Sequence, residues 1–284
     1  MTDNHKQENN CSSGGCSGGA AAALQKAVLE KPLAHIRHKL MVMSGKGGVG
    51  KSSVACNLAV ELGRRGYRVG LMDVDLHGPS IAGMMGLTGL LEITNKRRVI
   101  PKLTQDNVKV ISMQSLLPDR DRAVIWRGPA KHGVIRQFIS DVQWGELDFL
   151  VIDAPPGTGD EPLSVVQSIP EAKAVIVTTP QEVALADVRK SINFCRTVRL
   201  DIAGMVENMG PFPCPCCNRI IAPFQEGGGK KMALSESINF LGTLPFDPKV
   251  VQACDTGVPI IGHDPRSAFS VALAKCVDTL LASL

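Results

Sequence analysis

The chain has 284 residues, 44% of them hydrophobic and 4% aromatic, with a net charge of +4. Such a length and apolar content support one large α/β domain with a substantial core. The modest charge, the lack of a long basic run and the few rings available for base stacking argue against nucleic acid as a partner. No stretch approaches the ~20 apolar residues of a membrane span, and the N-terminus lacks the apolar region of a signal peptide. No membrane partner is expected, and the expected location is the cytosol. There the nine cysteines serve as thiols or metal ligands, not disulfides.

Residues 1–19 are polar, rich in Gly, Ser and Asn, and without hydrophobic periodicity, so they read as a flexible tail. The tail carries Cys11 and Cys16. A pair at that spacing can reach a metal or cluster elsewhere, or be incidental. Residues 20–38 are alanine-rich and predict a helical segment interrupted by Pro32. Residues 39–284 then form the main domain.

That domain opens on an apolar run, Leu40 to Met43, which reads as a strand. Ser52 to Gly63 reads as an amphipathic helix. Between them stands Gly45-Lys46-Gly47-Gly48-Val49-Gly50-Lys51-Ser52-Ser53, which fits G-x-x-x-x-G-K-[ST]. Glycines let successive N–H groups point inward, with no side chain blocking a phosphate. The helix that follows adds its positive N-terminal end. Lys51 is expected to reach the β- and γ-phosphates of a bound polyphosphate, and the Ser52 hydroxyl to hold Mg²⁺. Lys46 is a second lysine that a cradle within one subunit does not need.

Tyr67 to Asp75 reads as a strand running into Asp73 and Asp75, at the edge where open α/β sheets bind ligands. Asp73 is expected to support Mg²⁺ or the loop that follows. His77 in that loop is assigned no role. Residues 87–116 show little pattern beyond a strand at Val108 to Met113. Lys96, Arg97 and Arg98 read as a solvated hairpin or loop. Val124 to Val142 predicts a helix, with Gly128-Pro129 as an interruption.

Asp148 to Asp153 is a near-continuous apolar run, as suits a central parallel strand. Its terminal carboxylate, Asp153, suits Mg²⁺ held through water, the Walker B role. The loop Pro155-Pro156-Gly157-Thr158-Gly159-Asp160 follows, with hinge glycines. Ala174 to Thr179 reads as a strand, and Glu182 to Val198 as a helix with Cys195 as a core thiol. Ile202 to Met209 is another strand, ending in Glu207-Asn208-Met209. The Asn208 amide carries a donor and an acceptor, so it can read an adenine edge or cap a turn.

The loop 210–219 places Cys214, Cys216 and Cys217 among prolines. Thiolates favour zinc, copper(I) and iron–sulfur clusters. One loop supplies too few ligands for a closed zinc site, and no second pair follows at finger spacing. Two copies in a symmetric homodimer give four thiolates, the number a [4Fe–4S] cluster uses. Cys214 and Cys217 have the C-x-x-C spacing. In an extended stretch the Cys216 side chain would point away from that of Cys217. A Cys214–Cys216 pair stays open, as do a redox dithiol and plain buried thiols.

Gly227 to Met232 opens a helix and lacks the G-K-[ST] ending of a phosphate loop. Phe240 to Leu244 is a strand leading into Pro245-Phe246-Asp247-Pro248. Arg266 to Leu284 reads as a core-packed helix, not a basic membrane-surface one. Cys254 and Cys276 are expected to be buried on helices. The alternation of strands and helices predicts a doubly wound α/β fold with a mainly parallel sheet, carrying a P-loop at its C-terminal edge.

Over roughly residues 39–284 the chain resembles the Mrp/ApbC family of iron–sulfur cluster carrier ATPases, within the MinD/ParA/nitrogenase-iron-protein class. The matching strings are the Gly-Lys-Gly-Gly-Val-Gly-Lys-Ser loop, Asp-Val-Asp-Leu-His-Gly-Pro-Ser, Trp-Arg-Gly-Pro, Ile-Asp-Ala-Pro-Pro-Gly-Thr-Gly-Asp, Glu-Asn-Met and Cys-Pro-x-Cys. The resemblance implies a dimer in which Lys46 crosses to the partner's nucleotide. It also implies that Asp75 positions the attacking water, that Asn208 reads adenine, and that the loop at Pro245 and Asp247 closes over the base. The segments after Asp73 and Asp153 would be the two switches. A labile bridging [4Fe–4S] cluster, received from an assembly scaffold and passed to apo-proteins, would be the cargo. Two features depart from the family pattern: the third loop cysteine, and the tail pair without a four-cysteine ferredoxin-like domain. A positioning or partition ATPase explains the P-loop as well but not the cysteines. A non-hydrolytic nucleotide-binding scaffold is the other alternative.

Overall fold

The apolar runs pair side by side, because each exposes backbone groups that only a neighbouring strand can satisfy. The computed structural model describes residues 29, 32–75, 78–95, 98–116 and 128–284. The cysteine pair of the tail, His77, Lys96, Arg97, Trp126 and Arg127 lie outside these residues. Strand β1 (Ile36–Ser44) leads into α1 (Lys51–Arg64), β2 (Val69–Asp73) and the short α2 (Ile81–Met84). Four small strands follow: β3 (Glu92–Ile93), β4 (Val99–Ile100), β5 (Lys102–Leu103) and β6 (Val108–Ser112). Then come α3 (Gly128–Ser140), β7 (Leu147–Asp153), α4 (Asp160–Ser168), β8 (Lys173–Thr178), α5 (Glu182–Val198) and β9 (Asp201–Gly210). A two-stranded hairpin, β10 (Phe212–Pro213) and β11 (Ile220–Ile221), precedes α6 (Gly228–Ser235) and β12 (Phe240–Pro245). The chain closes with α7 (Pro248–Thr256), α8 (Ile260–His263) and α9 (Ala268–Leu281).

Eight strands form one sheet in the order β12-β9-β8-β1-β7-β2-β6-β5. All neighbours run parallel except the β5 edge, which is antiparallel to β6. Alternate residues feed two cores. Met41, Met43, Leu150 and Ile152 point to one face, under α3, α4, α5 and α6. Leu40, Val42, Phe149 and Val151 point to the other, under α1, α7, α8 and α9. Both faces are therefore dry, which is why the central strands read as unbroken apolar runs. The doubly wound, mainly parallel architecture expected from the sequence is the one observed.

Several expected boundaries move. The helix read over 20–38 cannot reach His38, since β1 starts at Ile36, which pairs with Leu147. Ile36 is buried and Arg37 exposed, a period of two that belongs to a strand. Among the described residues α3 runs from Gly128 to Ser140, and the part of the expected helix before it, 124–127, lies outside them. The last helix starts at Ala268, where Ser267 Oγ accepts the Ser270 N–H at 3.1 Å. Cys195 and Cys276 are buried as expected, whereas Cys254 is only half-buried.

Candidate functional site

Three strands end together. Val42 of β1 and Asp73 of β2 are both register partners of Asp153 at the end of β7. The loop leaving β1 crosses this edge and enters α1 at Lys51. Gly48 and Gly50 have φ of +79° and +82°, the left-handed region that favours glycine. A Cβ on Gly47 or Gly48 would meet nothing within 4 Å, so this part of the loop faces open space. Gly45 is different: its Cβ would lie 2.4 Å from the Asp187 carbonyl carbon on α5. That glycine is demanded by packing. The Ser44 hydroxyl donates to Lys46 O at 2.9 Å. The Gly157 N–H donates to Ser44 O at 2.9 Å, tying the loop after β7 to the one after β1.

Lys51 is buried, with Nζ 2.5 Å from Asp153 Oδ1 and 3.9 Å from Asp75 Oδ2. It also donates to Ser52 Oγ at 3.3 Å. Asp153 is fully buried, and desolvation pushes its carboxyl pKa up against the pull of the Lys51 ammonium. Its second oxygen, Oδ2, is buried without a hydrogen-bond partner. Asp73 is also fully buried, and desolvation and the neighbouring Asp153 raise it. It holds the following loop: Oδ1 accepts the Asp75 N–H at 3.1 Å, and Oδ2 accepts the Ile81 N–H at 3.4 Å and the Ser112 hydroxyl at 2.8 Å. Asp75 Oδ1 accepts the Gly78 N–H at 3.2 Å. Ser53 Oγ lies 3.6 Å from the Cys254 thiol. The Lys46 ammonium makes no ion pair among the described residues.

The Asn208 side chain reaches the loop from β9. Its amide donates to Val49 O at 2.9 Å, and a Cβ on Gly50 would lie 2.3 Å from that same Nδ2. It therefore braces the glycine loop, a contact that neither sequence reading of this residue contained. Pro245 pairs with Gly210, and Asp247 caps α7 by accepting the Lys249 N–H at 3.0 Å. Glu207, unassigned in the sequence, is buried and accepts the N–H groups of Gly227 and Gly229 at 3.3 and 2.6 Å and the Thr243 hydroxyl at 3.2 Å. An internal carboxylate thus occupies the amides of the Gly-Gly-Gly helix start, where a phosphate loop would hold its anion. A buried strand acid followed by a glycine-rich helix start was the available signal.

The cysteines sit on the β10–β11 hairpin, beyond the C-terminal end of β9 and so on the same sheet edge as the glycine loop. β8 alone separates β9 from β1, about 10 Å across the sheet. Residues 215–217 form a turn, not an extended strand, so the alternation argument that set Cys216 apart from Cys217 does not hold here. The Asn218 N–H donates to Cys214 O at 2.9 Å, and Asn218 has φ of +59°. The Cys214 pKa is lowered, by hydrogen bonding from the Cys216 and then the Cys217 backbone and from the Cys217 side chain. Cys214 is half-buried, and Cys216 and Cys217 are exposed. Such hydrogen bonds stabilise thiolate, the form that binds metal. Among the described residues no three His, Cys, Asp or Glu side chains converge to hold a metal ion.

Residues 35–281 match the ParA family, described as the NUBPL iron-transfer P-loop NTPase. The chain belongs to this family. It is 47% identical over 247 residues to an iron-sulfur cluster carrier protein of Methanocaldococcus jannaschii, covering 87% of this chain and 85% of that protein. It is also 47% identical over 249 residues to a cytosolic Fe-S cluster assembly factor NUBP2 homolog of Dictyostelium discoideum, covering 86% and 94%. A nucleotide-binding protein from Archaeoglobus fulgidus, solved in complex with ADP, superposes with a TM-score of 0.73 at 40% identity, covering 82% of this chain and 91% of that one. Among the described residues no helix is long and apolar enough to cross a membrane.

Proposed function

We propose that this NUBPL-type NTPase is a homodimeric ATPase whose cargo is a [4Fe–4S] cluster, bridged by Cys214 and Cys217 of two subunits and delivered to apo-proteins. The observation that carries this reading is a Cys-Pro-x-Cys turn at the tip of a hairpin on the sheet edge that also bears the glycine loop. One hairpin offers half of a cluster's thiolates, and a second copy supplies the rest. The names of the relatives support iron–sulfur cargo, and that of the Dictyostelium protein supports a cytosolic setting.

In this reading the loop from Gly45 to Ser53 wraps the phosphates of ATP, and Lys51 exchanges Asp153 for phosphate oxygen. Ser52 and Asp153 would hold Mg²⁺, and the unpartnered, buried Asp153 Oδ2 fits an acceptor left for a metal-bound water. That ion, when bound, neutralises charge on the phosphates. Asp75 orients a water for in-line attack on the γ-phosphorus, giving ADP and phosphate. Lys51, and Lys46 from the partner subunit, offset the charge that develops on the leaving phosphate oxygens. Asn208, Pro245 and Asp247 border the adenine. Loss of the γ-phosphate relaxes the loops after Asp73 and Asp153, and with them the dimer geometry that holds the cargo.

Anaerobic reconstitution with iron and sulfide tests the cargo assignment. Cys214→Ala and Cys217→Ala each lose the bound iron, while Cys216→Ala keeps about two iron atoms per chain. Full loading of all three variants would refute it.

A further inference from the structure

The cysteine hairpin is attached at both ends to the adenine side of the site. At its entry, Pro245 pairs with Gly210, the Phe246 N–H donates to Gly210 O at 2.9 Å, and the rings of Phe212 and Phe246 meet at 5.5 Å between centroids, tilted by 46°. The fit is close, since a Cβ on Gly210 would lie 2.3 Å from Thr243 Cγ2. At its exit, Glu207 grips Gly227 and Gly229 and ties them to Thr243 of β12. Glu207 is the chain neighbour of Asn208, which holds Val49 of the glycine loop. The loop after β7, which senses a γ-phosphate in the reading above, leaves the sheet three strands from β9, about 14 Å away. Segment 245–247 touches the hairpin directly, whereas the loop after β7 does so only across the sheet.

We propose that Phe212 is a positioning residue that couples segment 245–247 to the cysteine hairpin, so that an adenine nucleotide changes hairpin thiol accessibility whether or not it carries a γ-phosphate. The proposal rests on reading this pocket as an adenine-nucleotide site. A base seated against Pro245 and Asp247 fixes Phe246. Phe246 fixes Phe212, and Phe212 fixes the strand that feeds Cys214. Ordering of the hairpin then lowers the population in which the thiols are open to attack.

The test uses the full-length, reduced, cluster-free protein. The alkylation rate of the peptide containing Cys214, Cys216 and Cys217 is followed by mass spectrometry, and ADP binding is measured in parallel by calorimetry. ADP is expected to slow alkylation about fivefold or more, and a non-hydrolysable ATP analogue, which also drives the dimer, to slow it at least as much. Tripolyphosphate, which lacks the base, is expected to leave the rate unchanged. Phe212→Ala binds ADP but loses the slowing, and Phe212→Tyr, which keeps the ring, retains it. Bound ADP with no change in rate would overturn the coupling alone, and so would slowing by ADP that survives Phe212→Ala or that rises with protein concentration. Failure of ADP to bind would overturn the pocket reading and the coupling together.

Discussion

Lys51 and Asp153 form the most consequential pair in the molecule. Both are buried, and their attraction offsets a large desolvation cost. Removing one partner of such a pair typically costs about 3–5 kcal/mol. Lys51→Met is expected near the lower end, about 3 kcal/mol, because Asp153 can take up a proton once its cation is gone. Urea unfolding measures that loss. The same variant should lower ATP hydrolysis about 100-fold or more, read as phosphate release. The thiols give a second residue-scale prediction. Burial pushes Cys195 and Cys276 up to about 12, so both stay neutral at pH 8. Alkylation at that pH should label the hairpin cysteines and spare these two until the chain unfolds. Equal labelling of all of them in the folded protein would contradict the burial described. Lys51, Ser52, Asp73 and Asp153 were legible in the sequence because a contiguous motif and two strand ends announce them. Glu207 and Asn208 were harder, since their partners are distant in the chain and fixed by packing.

Among the elements, the glycine loop separates two demands that the sequence writes with one letter. Gly45 is pressed on the α5 backbone, whereas Gly47 faces open space. Gly45→Ala should therefore destabilise the fold by about 1–3 kcal/mol, as overpacking does. Gly47→Ala should leave stability within about 0.5 kcal/mol and weaken nucleotide binding instead. Thermal unfolding with and without ADP distinguishes the two, and equal stability losses would contradict this division. The long strands were legible because burial on both faces makes them continuous apolar runs. β10 and β11 were not, since two-residue strands have no period to detect. Nor was the start of β1, because the alanine-rich stretch before it has helical propensity that outweighs a short alternation at Ile36 and Arg37.

At the scale of the whole molecule, the P-loop and the cysteines lie on one sheet edge, which a twofold axis can duplicate. Lys46 makes no ion pair among the described residues, so Lys46→Gln should change monomer stability by less than about 0.5 kcal/mol. It should nevertheless abolish dimerisation by a non-hydrolysable ATP analogue, as followed by sedimentation velocity. Dimerisation equal to that of the unsubstituted chain would remove Lys46 from the interface. The central claim is that two identical chains pool their thiolates around one inorganic centre. Native mass spectrometry of the anaerobically reconstituted protein tests it most directly. The predicted species contains two chains with about four iron and four sulfide ions, and it falls apart into iron-free single chains when Cys214 is replaced by alanine. A single chain that retains the complete cluster, or a Cys214→Ala dimer that keeps its iron, would contradict the account.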